Sequence, residues 1–137
     1  MDLGVLDHVI KSVREVTTHT RAAAPNAEPP PAAAADIYQW MIEATPHLDV
    51  ERKMIRDAMI YRQGLEHALE MNDEDVVGLE PCPSCACWGL FWQSDHQKAM
   101  CANRRCNDRL GQPSMWTLQQ LARHHVARKY ADRKTAT

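Results

Sequence analysis

The chain reads as a small α+β protein: a helical N-terminal part, then a cysteine-bracketed β-hairpin, then a final helix. Three observations predict this. Apolar residues recur at spacings of three and four over residues 3–16 and 50–69, the period of a helix. Around residues 88–92 they alternate instead, the period of a strand. All five cysteines of the 137-residue chain fall between positions 82 and 106, in two close groups.

Residues 1–20 form the first predicted element. Leu3, Leu6, Val9, Ile10, Val13 and Val16 make the stripe of an amphipathic helix. A helix this short is marginal in water, so it must dock on the rest of the chain, a second copy or another protein. Residues 21–35 follow, rich in Ala and Pro and without a large apolar side chain. Pro29-Pro30-Pro31 favours an extended spacer, which makes the first helix a tethered one.

A helical hairpin is expected over residues 36–79. Asp36 is placed as an N-cap before Ile37, Trp40, Met41 and Ala44, and Thr45-Pro46 stops the helix. Asp49 caps the next helix, with Glu51 in its first turn. Its stripe runs through Val50, Met54, Ala58, Tyr61, Leu65 and Ala68, widened by Ile55, Met59 and Leu69. Asn72–Asp75 is an acidic turn without the spaced ligands of a calcium loop.

Residues 80–137 carry the chemistry. Cys82-Pro-Ser-Cys85 sets two thiols on one tight turn, and after fifteen residues Cys101 and Cys106 supply a second pair. Structural zinc prefers four soft ligands delivered as two close pairs, so these four thiols are assigned to one zinc ion (Zn2+). Trp88, Leu90 and Trp92 alternate with Phe91, Gln93–Gln97 supplies a turn, and Lys98–Met100 returns as the partner strand. Cys87 is the surplus thiol, read as the first residue of the strand. His96 falls at the hairpin tip, away from the thiols.

Cys-Pro-x-Cys, a hairpin and Cys-x4-Cys together resemble the zinc-ribbon family, and are similar to the short ribbons at the C-terminus of bacterial type I topoisomerases. The resemblance covers about residues 80–110. It implies a structural metal and a module that contacts nucleic acid or protein. Ala86 stands where many ribbons carry glycine.

The last helix opens with Thr117-Leu-Gln-Gln120, a capping box. Leu118, Leu121, Ala122, His125 and Val126 form its apolar side, and Arg123, Arg128, Lys129, Arg133 and Lys134 make it basic.

A formal charge of −2 hides an asymmetry: residues 1–81 hold 7 Lys/Arg against 15 Asp/Glu, and residues 82–137 hold 9 against 3. An acidic half joined to a basic half points either to different partners for each or to the two halves folding onto each other, and charge alone does not choose. No run of about 18 apolar residues exists, so no membrane span is expected. Asp2 and Asp7 sit where a signal peptide needs positive charge, which together with paired reduced thiols gives a cytoplasmic expectation. Four cysteines close a metal shell, and no phosphate loop, metalloprotease or deaminase motif is present, so no enzyme is expected. The reading is a non-enzymatic zinc-binding module, a regulatory protein that contacts DNA or RNA through Arg104, Arg105, Arg128 and Lys129. The alternative is a protein–protein adaptor that docks, or self-associates, through residues 1–20 and 36–70.

Overall fold

A computed structural model describes residues 3–135. The chain forms two compact units, residues 1–53 and 54–137. It is mixed: five α-helices and one three-stranded antiparallel sheet are found among the described residues.

In the first unit, α1 (Leu3–Ala23) packs on α2 (Ile37–Ala44), which follows a 3₁₀ turn at Ala34–Asp36. The buried side of α1 is Ser12, Val16 and Thr20, four residues apart, not the full apolar stripe. Thr20 tolerates burial because its hydroxyl donates to the Val16 carbonyl at 2.8 Å. Leu3, Leu6 and Ile10 remain exposed. Within the Ala/Pro segment the Glu28 carbonyl accepts from Trp40 Nε1 at 3.1 Å. Asp36 has near-helical backbone angles and makes no side-chain cap, so the 3₁₀ turn does the work assigned to it.

Helix α3 (Val50–Glu70) begins where expected, with the Arg52 N–H donating to Asp49 Oδ1 at 2.8 Å. It ends in a Schellman motif: Asp73 N–H reaches the Ala68 carbonyl, Asn72 N–H reaches that of Leu69, and Asn72 takes φ +62°. Ile55, predicted to widen the stripe, is exposed.

The second unit holds a buried cluster of Leu65 of α3, Val77 of the short α4 (Asp75–Gly78), Leu90, Ala99, three cysteines, and Leu121 of α5 (Leu118–Thr135), and a smaller one of Ala58, Ala122 and Val126. Strands β1 (Leu90–Gln93) and β2 (Lys98–Cys101) pair with Leu90 opposite Cys101 and Phe91 opposite Met100. A third strand, β3 (Met115–Trp116), adds Met115 opposite Met100 and Trp116 opposite Ala99. Side chains alternate across a sheet, so Leu90, Trp92, Ala99 and Trp116 face the core while Phe91, Met100 and Met115 form a row on the other face. The capping box is present in full, with Gln120 N–H to Thr117 Oγ1 at 3.1 Å and Thr117 N–H to Gln120 Oε1 at 2.8 Å.

Candidate metal centre

Two turns carry the thiols. On the first, the Ala86 N–H donates to the Cys82 carbonyl at 2.8 Å and the Cys82 N–H to the Cys87 carbonyl at 3.0 Å. This closure puts Ala86 at φ +63°, a left-handed angle that glycine adopts without strain. On the second, Asn103 folds the chain: its carbonyl accepts the Cys106 N–H at 2.9 Å and its Oδ1 accepts the Arg105 N–H at 3.1 Å. The turns are tied by Ala102 N–H to the Gly89 carbonyl at 2.9 Å.

Cys82, Cys85, Cys101 and Cys106 are thereby brought together, with all four sulfurs within 4.8 Å of one another. Cys82 and Cys106 sulfurs are 3.8 Å apart, those of Cys85 and Cys101 3.6 Å. A disulfide needs about 2.05 Å, so these are separate thiols. Cys82, Cys101 and Cys106 are buried and Cys85 is half-buried. Four soft donors converging in this way can hold a metal ion. Cys87, predicted to be the surplus thiol, is exposed and outside the quartet; Asn103 Nδ2 lies 3.6 Å from its sulfur. It precedes β1 rather than opening it, and so does Trp88, which is 68% exposed. His96 sits in the hairpin loop, as expected.

The turns also bias the thiols electrically. The Cys87 backbone hydrogen bond to Cys85 lowers that thiol to about 6, in the range where it is a thiolate at neutral pH. Burial pushes Cys101 up to about 12, against a hydrogen bond from the Asn103 backbone. A cation among the sulfurs favours thiolates at every position.

Residues outside the cysteine pattern complete the setting. Ser114 Oγ lies 3.3 Å from Cys106 Sγ, and the Ser114 carbonyl accepts the Cys101 N–H at 2.9 Å. Asp108 holds the intervening loop by accepting the N–H of Leu110 and of Gln112. Two residues before Cys82, Glu80 is only 3% exposed. Its carboxylate accepts from the Tyr61 hydroxyl, from His125 Nδ1 at 3.1 Å and from Arg128 Nη2 at 3.2 Å. Tyr61 and His125 stack, with ring centroids 3.7 Å apart and planes 10° from parallel. Burial lowers the His125 pKa and outweighs the raising effect of Glu80. A neutral ring with its proton on Nδ1 leaves Nε2 as a bare lone pair, and that atom is buried without a partner. Tyr61 is shifted upward by burial first and by Glu80 second. Nothing in the sequence around Glu80 marked it; only the fold brings residues 61, 80, 125 and 128 together.

The predicted nucleic-acid residues are distributed unevenly. Arg104 and Arg105 are exposed on the turn between two buried cysteines, and Lys129 is exposed on α5. Arg128 is half-buried against Glu80, which offsets its charge.

No protein-family model matches the chain, nor does any curated protein or solved structure. The likeness to a zinc ribbon therefore rests on the thiol cluster and the hairpin that delivers it. Among the described residues no helix is long and apolar enough to cross a membrane.

Proposed function

We propose that the chain is a non-enzymatic zinc-stapled module, a regulatory protein of the cytoplasm, that contacts single-stranded nucleic acid through its ribbon. Zinc is favoured by the donor set. A tetrahedron with zinc–sulfur bonds of about 2.3 Å requires sulfurs about 3.8 Å apart, and the two close pairs stand at 3.8 and 3.6 Å. When bound, such an ion supplies folding energy to a segment too small to build its own core. Four cysteines leave no open position for a substrate, which supports a structural role.

The observation that carries the nucleic-acid reading is the position of Trp88. Its neighbours Cys87 and Gly89 are both bonded to Ala102–Asn103, so the turn with the exposed Trp88 is tied to the one that carries the exposed Arg104 and Arg105. An uncovered ring and two exposed guanidinium groups on tied turns suit stacking on an unpaired base with a phosphate held by the arginines. Phe91, 39% exposed on the open sheet face, offers a second ring.

The test is binding of a labelled single-stranded oligonucleotide to the full zinc-loaded chain across a salt series. Affinity should fall as salt rises, Trp88 fluorescence should quench, and Arg104→Ala with Arg105→Ala should weaken binding and flatten the salt dependence. No binding at low salt removes the reading.

A second reading has its own observation. Leu3 is 80% exposed, and Leu6 and Ile10 continue the same uncovered stripe on α1, which suits a protein adaptor or a self-associating helix. Leu6→Glu should abolish any concentration-dependent mass increase while leaving oligonucleotide binding unchanged.

A further inference from the structure

A second feature lies away from the thiols. Helices α3 and α5 flank a groove of about 220 Å³, lined among others by Asp57, Tyr61, His125, Lys129, Tyr130 and Arg133. His125, Lys129 and Arg133 stand four residues apart on α5. They therefore follow one side of the helix at about 6 Å intervals, from a rise of about 1.5 Å per residue. The Arg133 guanidinium lies 5.1 Å from the centre of the Tyr130 ring. The carboxylate of Asp57 accepts from Arg56 at 3.0 Å and from the Tyr130 hydroxyl at 2.7 Å, which offsets its charge and fixes the phenol against α3. Lys129 and Arg133 are both exposed. Positive charge at the rim and ring surface along the walls are complementary to one kind of group: a phosphate joined to a flat ring.

Size narrows the occupant. Pockets for whole drug-sized ligands run from about 300 to 1,000 Å³, so this groove suits one unit of a longer polymer.

We infer that the α3–α5 groove seats a single nucleotide of a bound nucleic-acid strand, its base against the Tyr61 and Tyr130 side chains and its phosphate between Lys129 and Arg133. This inference rests on the strand-binding reading and extends the contact surface from the ribbon to the helices.

The experiment uses the full zinc-loaded chain, a fluorescein-labelled oligothymidylate and the same strand with one photoreactive 5-iodouracil. Lys129→Ala with Arg133→Ala should weaken binding about tenfold. Losing two phosphate contacts should also reduce the log–log salt slope by about 1.4, from about 0.7 per contact on a single strand. Cross-linked peptides should include Tyr61 or Tyr130. Both altered side chains are exposed, and unchanged helical circular dichroism confirms that the variant folds. Wild-type affinity and slope in this variant, with cross-links confined to residues 80–116, would overturn the groove and leave ribbon binding standing. Absence of strand binding by the unaltered chain removes both. Thymidine monophosphate is the last arm: if it perturbs the Tyr61 and Tyr130 resonances at concentrations where the strand does not, the site takes free nucleotides, and the strand assignment fails.

Discussion

Ala86 is the residue at which local strain and metal binding meet. Its φ of +63° closes the first thiol turn, and a side chain with Cβ resists that angle. Ala86→Gly should therefore stabilise the metal-loaded chain by about 1 kcal/mol, measured as a raised denaturation midpoint at unchanged m-value. The cysteines separate cleanly. Cys101→Ser should lose the metal and the fold of the second unit, since its sulfur is buried within both the quartet and the core. Cys87→Ser should retain one metal per chain by elemental analysis; a stoichiometric loss would make Cys87 a ligand. His125 is a further single-residue test. Its folded pKa lies below the ordinary 6.5 because burial disfavours the charged ring. The unfolded chain then binds the proton more readily, so this group's stabilising effect is complete above pH 6.5 and lost as pH falls toward the folded pKa. An NMR titration should place the His125 midpoint under 6.5, and a midpoint above it would show Glu80 prevailing over burial.

At the level of elements, Glu80 connects the segment leading into the first thiol turn with α3 and α5. Glu80→Ala leaves Arg128 facing a buried site and removes acceptors from Tyr61 and His125. The expected cost is about 3 kcal/mol, at the low end for breaking a buried pair because Arg128 can turn toward water. Chemical denaturation of the zinc-loaded variant checks this, and a change under about 1 kcal/mol would make the cluster incidental. Elements defined by short-range chemistry were readable from sequence: the thiol spacing, the Thr117–Gln120 box, the Asp49 cap. Those defined by distant contacts were not. Strand β3 is two residues long and exists through pairing with β2, without a periodic signal of its own. The α1 stripe was visible, yet burial fell on Ser12, Val16 and Thr20, the last tolerated because its hydroxyl bonds back to its own helix. Alternation placed Trp88 in a strand, but β1 begins at Leu90 and leaves that indole outside.

For the molecule as a whole, the thiol quartet is not an appendage. Cys82, Cys101 and Cys106 belong to the same buried cluster as Leu65 and Leu121. Chelation should accordingly cost more than the hairpin: amide protection should fall in α5 and in α3 beyond residue 54, along with that of β1 and β2. Hydrogen exchange before and after zinc removal checks this, and preserved protection in α5 would show that helices and ribbon fold independently.

The unequal burial of the four sulfurs has a kinetic meaning. Three are sealed in the core, and only Cys85 meets solvent. If the quartet holds an ion, a competing ligand arriving from outside would meet it first at Cys85, and exchange should begin with displacement of that thiolate. Cys87 is exposed as well. The most accessible sulfur of the quartet thus has a further exposed thiol two residues away in the chain.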